Sequence, residues 1–488
     1  MTTEPTAPTG APTARPRRRW RRPLIAIGVT FSLLLAAAGV GFFLVWRHLD
    51  SNITTIQADP GLLRSASAAP SPTAQGDLPP MNILVMGSDT RIGQGGEGGS
   101  AKVYSTAQSD VVMLVHLSGD RKHAIVMSIP RDTWVHVPSC SNGKTTYNAQ
   151  DGKFNLAFTF GGPNCTVKLF EQVTGLPVDH FIVVDFNGVK DIINALGGVR
   201  LCLKAPLSDP VDLVKHEGSG LNLPAGNQLI MGDQGLAFLR ARHHIGDGSD
   251  LGRLDRQHEF LAAMVKQAQD SSLITDPLRL YRVLDTTTKA IAADKGLSNL
   301  GALKNLAQSL TGLKPSQVTF KTIPWKDRGD HENVLIDEAK AKPLLEAIAN
   351  DTPYPPPLPP LVTPPGAPLK TPPTSITVKV LNASGTPGRA KAVAAQLEAL
   401  GFTVSSVDTA PTVSTTTTVQ YSPNRDESGR TLTASVVGAT SRVDNQLGST
   451  LVLTVGSDYT GLVRVKVAGQ PTSSSSSDTL TAASTACV

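Results

Sequence analysis

Four arginines, Arg240, Arg242, Arg253 and Arg256, fall within seventeen residues around a Gly/Asp/Ser-rich loop that runs into a helix. Guanidinium forks meet phosphate oxygens two at a time, so this grouping suits a phosphate or diphosphate ligand. Ser249 or Asp250 can cap the helix, and the positive end of its dipole adds to the attraction for anions. Arg253 and Gln257 lie four apart and share a face that continues through Phe260 and Met264. Leu254, Leu261 and Val265 make the stripe expected to meet the core. The competing reading of the stretch is a solvated basic helix start.

Three further charges are brought to one place by the elements that carry them. The apolar run Asn82–Met86 ends in Gly87-Ser88-Asp89-Thr90-Arg91, a buried strand followed by a turn. Asp110 opens a second strand, Val111–Leu117, which turns at Ser118-Gly119-Asp120 into a third, Ala124–Ile129. Pro130-Arg131-Asp132 stops that strand. The tight turn makes the second and third strands antiparallel, so Asp110 and Arg131 lie at the same end of a sheet. Asp89 joins them if the first strand runs parallel to the third, and ligands in open α/β sheets favour such strand ends. Taken alone, Asp89 or Asp110 reads as a turn former. Their convergence is the signal.

Beyond these motifs, strands alternate with helices. Helices are expected at Val167–Thr174, Val189–Leu196 and about 256–270, 277–294, 298–310 and 337–349. Strands are expected at Phe181–Asp185, Val199–Lys204 and Val318–Ile323, giving an α/β domain with a central mixed sheet layered by helices. Eleven prolines between Pro353 and Pro373 form an extended arm. After it come a strand then loop over Ile376–Gly385, the helix Ala390–Leu400, the strand Phe402–Val407, a helix near 427–437 and the strand Leu451–Val455. These build a small C-terminal α/β sandwich, and the Ser/Thr-rich end from about 470 to 488 is expected to be disordered.

At the other end, Leu24 to Val45 carries no charge over 22 residues, enough to span a bilayer, with Trp20 and Trp46 at interfacial depth. Six arginines precede it, so the positive-inside rule places the N-terminus in the cytoplasm and the main body outside. A cleaved signal peptide is the rival reading, since Ala36-Ala37-Ala38 resembles a cleavage site, but the apolar run continues to Val45 and favours a retained anchor. The net charge of +5 comes from that cluster. Residues 1–22 hold six of the 45 basic and one of the 40 acidic residues, and the remainder balances. A general nucleic-acid footprint is therefore absent. Export permits disulfides; Cys140 and Cys165 are the expected pair, and Cys487, in a polar tail, is expected to be unpaired.

The expected organisation is a cytoplasmic basic tail at 1–22, a transmembrane helix at 23–46 and a juxtamembrane spacer at 47–79. A catalytic domain at 80–349, a Pro-rich linker at 350–375, a C-terminal domain at 376–458 and a polar tail at 459–488 follow.

Several motifs, in order, resemble the LytR-CpsA-Psr domain over about residues 80–270. They are Met81–Asp89, Ser128-Ile-Pro-Arg-Asp132, Lys153-Phe-Asn155 with Gly161-Gly-Pro163, Asp179-His-Phe181, Phe238-Leu-Arg-Ala-Arg242 and Asp250–Gln257. Residues 376–456, with Val380-Leu-Asn-Ala-Ser-Gly385, resemble the LytR-type C-terminal domain. The resemblance implies an extracytoplasmic phosphotransferase that moves a glycopolymer of teichoic-acid, capsule or arabinogalactan type from a polyprenyl-pyrophosphate carrier to peptidoglycan.

By that analogy Asp89 and Asp110 hold Mg²⁺, and Arg131, Arg240, Arg242, Arg253 and Gln257 clasp the pyrophosphate. Asp250 orients arginines, and Lys153 lies near the same anion. The catalytic set is then Asp89, Asp110, Arg131, Arg240 and Arg242, with Asp89, Asp110 and His243 all conceivable as the base. The family's apolar lipid tunnel would draw walls from Leu156, Phe158, Phe160, Ile182 and Val184, residues that read equally well as ordinary core.

Gln108-Ser109-Asp110 departs from the family's Arg-x-Asp pattern. A neutral amide cannot replace that charge; Lys102 is the substitute cation at hand, and the departure bears on turnover more than on fold. Two other functions compete. One is a non-catalytic polyprenyl-phosphate-binding scaffold for wall assembly. The other, a transcriptional regulator, needs cytoplasmic exposure and a basic reading helix, and neither is evident.

Overall fold

The computed structural model describes residues 21–64, 78–88, 109–211, 218–241, 250–269, 276–310, 312–330, 332–355, 359, 361–365, 367–468 and 480–481. The chain divides into two compact units, Met1–Thr352 with Leu480–Val488, and Pro353–Thr479.

Helix α1 (Arg21–Asn52) is long and apolar enough over Ile27–Asn52 to cross a membrane. It runs past the expected end of the apolar segment because its last turns are held by partners. Leu49 is buried, Asp50 accepts from the backbone N–H of Leu300 at 2.7 Å, and Asn52 donates to Asp285 at 3.0 Å.

The central sheet uses strands β1 (Thr54–Ile56), β2 (Met81–Ser88), β3 (Ser109–Leu117), β4 (Ala124–Ile129), β5 (His180–Asp185), β6 (Ile291–Asp294), β7 (Val318–Thr322) and β8 (Leu480–Thr481). Their order is β1-β6-β5-β2-β3-β4-β7-β8. The sheet is mixed: β5 is parallel to β2, β3 is antiparallel to both β2 and β4, and β7 is parallel to β4. With β3 antiparallel to both neighbours, β2 and β4 point the same way. Helices α2 (Leu156–Thr174), α3 (Phe186–Ala195), α4 (Gly232–Arg240), α5 (Asp250–Ala268), α6 (Pro277–Ala290), α7 (Leu300–Leu310) and α8 (Glu338–Ala349) also belong to this unit.

Several elements differ from the sequence reading. The stretch 277–294 is not one helix: its last four residues form β6, wholly buried between β1 and β5. A short apolar run looks alike as buried strand or buried helix, so periodicity alone does not separate them. The region expected as a spacer supplies β1. Val199–Leu203 pairs with Gly226–Ile230 in a separate ribbon instead of joining the central sheet. The tail expected to be disordered contributes β8, which pairs antiparallel with Thr319 and Phe320 on the edge strand β7; an edge offers unpaired backbone groups to such a segment.

Helix α2 starts well before the expected Val167. It bends at Gly161 and Gly162, the latter at φ +62, with Pro163 following. Cys140 is bonded to Cys165, and a side chain at Gly161 would press on the Cβ of both cysteines at 3.2 and 2.8 Å. The glycine is what lets the helix pass the disulfide. Cys202 is also disulfide-bonded, and Cys487 lies outside the described residues.

In the second unit, five strands run in the order Thr403–Thr409, Thr377–Asn382, Leu451–Val455, Thr418–Tyr421 and Thr440–Val443. Helices Arg389–Ala399 and Asp426–Ser435 pack on this sheet through Val393, Leu397 and Leu432 against Val378, Val380 and Leu453.

Candidate active site

The rim of the central sheet is built by a bulge. Gly87 of β2 pairs with Val111 and Ser88 pairs with Ser109, so Asp110 is the extra residue left out of the ladder. Bulges turn a side chain away from the regular alternation. Here Ser109, fully buried, fixes the distortion by donating its hydroxyl to the carbonyls of Gly87 at 3.1 Å and Val111 at 3.0 Å.

Pro130 ends β4, and the next residues turn back sharply. Thr133 donates its backbone N–H at 3.1 Å and its hydroxyl at 2.7 Å to the Pro130 carbonyl. The Lys153-Phe-Asn155 segment clamps that turn, with Phe154 donating to the Thr133 carbonyl at 2.8 Å and Asn155 to the Arg131 carbonyl at 3.2 Å. Arg131 Nη1 thereby reaches Asp110 Oδ1 at 2.6 Å, and its Nε lies 3.4 Å from Asp132 Oδ2. Lys153 Nζ donates to the other oxygen of Asp132 at 2.7 Å. Asp110, Arg131, Asp132 and Lys153 form one continuous charged chain.

Asp132 is a residue the sequence reading quoted in a motif but gave no role. Its two oxygens hold the two cations in fixed relation, which pre-organises them for an anion. Nothing in a single sequence separates such a carboxylate from a turn former.

The neighbouring strand end belongs to β5. Asp185 pairs with Ser88 and caps α3 by accepting from Gly188 N–H at 2.6 Å; burial, the largest influence, pushes its carboxyl above the usual range. Phe186 follows, and the exposed guanidinium of Arg240 lies over its ring at 4.7 Å. This cation–π contact is what fixes Arg240 beside the strand end, and Phe186 too was absent from the sequence reading.

Helix α5 is embedded on several sides, not amphipathic as expected. Phe260 is fully buried in the cluster with Phe238, Ile193 and Leu201, whereas Leu261 packs on the sheet side with Ala262. Leu261 and Val265, expected as core, are only partly buried, and Arg253, Arg256, Gln257 and His258 are buried. The reason is that the polar face has carbonyls to serve. Gln257 Nε2 donates to Leu239 O at 3.1 Å and Arg256 Nη2 to Ala241 O at 2.8 Å, satisfying the open C-terminal end of α4 that carries Arg240. Arg256 and the Gln257 amide are thus positioning groups for the Phe238–Arg242 motif, while Arg253 sits one turn before Gln257 on the same helix.

His258 pins this helix to the other motif: its Nε2 and Ser128 Oγ share a 2.6 Å hydrogen bond. Burial, helped by nearby Lys321, lowers its pKa from 6.5 to about 4. A histidine depressed in the folded state binds its proton later than in the unfolded chain. The unfolded state therefore takes up the extra proton between pH 6.5 and about 4, and stability falls as pH falls through that window. The full drop is on the order of 3 kcal/mol. Denaturant unfolding of the wild type between pH 7 and 4.5 should lose stability more steeply than that of His258→Gln; parallel profiles would contradict this.

Among the proposed tunnel residues, Phe158 is fully buried and Phe160 stacks on Tyr147 at 4.5 Å, so these two act as core. Leu156, Ile182 and Val184 are half-buried. Asp89, Arg242, His243, Lys102 and Gln108 lie outside the described residues, as does the side chain of Asp250.

Among the described residues, the oxygen donor suited to Mg²⁺ at this rim is Asp110. Its carboxylate is 32% exposed, Oδ1 is taken by Arg131, and Oδ2 accepts no hydrogen bond from a described residue. A hard oxygen open to solvent beside an arginine fits that ion, which takes one or two carboxylates and completes its shell with phosphate and water.

A family model described as the LytR_cpsA_psr family matches residues 63–349, and one described as LytR cell envelope-related transcriptional attenuator matches residues 375–459. The chain is 28% identical over 354 residues to "Cell wall biosynthesis protein LcpA" of Corynebacterium glutamicum, covering 66% of this chain and 65% of that protein. It is 27% identical over 235 residues to "Polyisoprenyl-teichoic acid--peptidoglycan teichoic acid transferase TagV" of Bacillus subtilis, covering 48% of this chain and 55% of the relative. The match thus spans just under two thirds of the first relative and just over half of the second. A solved structure described as a LytR-Csp2A-Psr enzyme from Actinomyces oris aligns with a TM-score of 0.42 and 19% identity, over 61% of this chain and 95% of that one.

Proposed function

Since the chain belongs to the LytR_cpsA_psr family, we propose that it is an extracytoplasmic phosphotransferase attaching a glycopolymer from a polyprenyl-pyrophosphate carrier to peptidoglycan. The observation that carries this reading is the unbroken contact from Asp110 through Arg131 and Asp132 to Lys153 at the sheet rim. Relatives named as teichoic acid–peptidoglycan transferases support the same chemistry.

In the proposed reaction a peptidoglycan hydroxyl oxygen attacks the phosphorus that carries the sugar. A new P–O bond forms, the bridging P–O–P bond breaks, and polyprenyl phosphate departs with the electron pair of that bond, gaining one negative charge. The hydroxyl proton passes to a base, for which Asp110 is available at the rim and Asp89 and His243 remain alternatives. Arg131, with Lys153 and Arg240, receives the negative charge that grows on the phosphate oxygens, and fixed guanidinium groups do this without reorganising. Mg²⁺ held by Asp110 and Asp89 would neutralise non-bridging oxygens. Arg256, Gln257 and His258 keep the two arginine-bearing motifs in place.

Helix α1 is read as a retained anchor, with the six arginines before its uncharged span on the cytoplasmic side and the chain after it outside. A topology reporter fused after residue 60 checks that orientation. The reaction is tested by giving the full-length protein, in a membrane mimic, a lipid-linked donor, Mg²⁺ and peptidoglycan fragments. Phosphodiester-linked product with release of polyprenyl monophosphate is the expected result. Donor binding without product would replace the enzyme with the scaffold reading.

A further inference from the structure

The opposite end of the central sheet carries a second polar cluster. Strand β3 extends six residues from Asp110 to His116, roughly 20 Å at the rise of a β-strand. There His116, His123 and Asp351 bring one potential ligand atom each to within 4.8 Å of the others. From this cluster we infer a divalent transition-metal site of the zinc class, with His116 Nε2, His123 Nε2 and Asp351 Oδ1 as its ligands.

The hydrogen bonds around His116 set up the site. Asn82 Nδ2 donates to Pro177 O at 2.8 Å, which fixes the amide so that Asn82 Oδ1 faces His116 Nδ1, also at 2.8 Å. An amide oxygen only accepts, so Nδ1 carries a hydrogen and Nε2 is the nitrogen left to meet a ligand. Nε2 faces Asp351 Oδ1 3.1 Å away. A shared cation, proton or metal, joins the two.

A proton on His116 would satisfy this pair but not the third group. His123 Nε2 lies 3.9 Å from the same Asp351 oxygen, is buried, and has no hydrogen-bond partner. One metal ion serves all three. Ligands about 2.0–2.1 Å from a tetrahedral zinc stand about 3.3 Å apart, between the two separations seen here. Burial, the largest influence, lowers the pKa of His123 and favours the neutral ring a metal requires.

Asp120 and Asp351 face the cluster, and the cations near them are Arg121, whose Nη groups are bonded to the Ser118 and Pro79 carbonyls, and Lys122, whose charge acts on Asp120. Asp351 is held in position by the Gly119 N–H at 3.0 Å to its second oxygen. The buried Asn82–His116 contact is the outer support that metal-bound histidines ordinarily have. Asp351 stands two residues before the second unit begins, so an ion here would staple the end of the first unit to the β3–β4 turn.

The test uses the full-length chain with Zn²⁺ alone, and Co²⁺ as a spectroscopic reporter. One metal per chain is expected, with the visible bands of tetrahedral Co²⁺. His123→Ala should weaken binding about 100-fold or more and leave glycopolymer transfer unchanged, while Asp110→Ala should leave Zn²⁺ affinity at this site intact. Asp351→Asn is a second variant should His123→Ala fail to fold. The proposal is overturned if no Zn²⁺ binds and nitrogen NMR shows His116 doubly protonated, or if binding survives both ligand substitutions.

Discussion

Arg131→Ala should reduce glycopolymer transfer by about 100- to 1,000-fold, with most of the loss in kcat. Arg131 is the only side chain bonded both to Asp110 and to Asp132 among the described residues, and its turn is clamped by Phe154 and Asn155. Its placement is therefore fixed before substrate arrives, which is the condition under which a donor stabilises developing charge at little cost. Folding should survive. Asp110 and Asp132 keep some access to water, and Asp132 retains Lys153. Arg131→Lys should recover only part of the rate, because an ammonium cannot span two oxygens as the guanidinium fork does. Arg240→Ala removes an exposed cation that lies over Phe186 and should lower transfer in the same direction. Undiminished product formation by both alanine variants, measured with a defined lipid-linked donor, would remove the arginines from the mechanism.

The second large effect belongs to Asp110. Asp110→Ala deletes the free Oδ2 and also releases Arg131 Nη1, so transfer should fall about 100-fold or more, with a higher Mg²⁺ concentration needed for half-maximal rate. Asp110→Asn separates the two contributions: the amide oxygen can still accept from Arg131, while the charge that attracts a cation is gone. A wild-type reaction abolished by chelation and restored by Mg²⁺ is the matching result. Full activity in the presence of chelator would exclude the ion, whatever the arginines do.

The rim could be read from the sequence because strand ends are announced by short, local signals. Gly87-Ser88, Ser118-Gly119-Asp120 and Pro130 place Asp110 and Arg131 at one end without knowledge of the rest, and β2 and β4 do run in the same direction. The bulge that isolates Asp110 was not legible: its cause, the Ser109 hydroxyl bonded to two carbonyls, appears only once the strands are in register. Asp132 and Phe186 were missed for a related reason, as was the positioning role of Arg256, which the sequence reading groups with the phosphate-seeking arginines. Each acts through a partner distant in the chain or across a turn, and their types alone suggest a turn, a core residue and a solvated charge.

Strand β6 and helix α5 show the limits of periodicity. A run as short as Ile291-Ala292-Ala293 has no period to detect, and a helix buried on several sides hides polar residues that serve backbone carbonyls. The cluster at His116, His123 and Asp351 draws its third member from 228 residues beyond the second, a separation no local pattern can reveal.

The central claim is that the rim charges are arranged for a diphosphate. It is tested most directly by comparing the dissociation constants of polyprenyl pyrophosphate and polyprenyl monophosphate for the wild type and for Arg131→Ala. The account predicts that the wild type prefers the diphosphate by about tenfold or more and that the variant loses most of that preference. Equal affinity of the wild type for the two lipids, or a preference that survives the substitution, would contradict it.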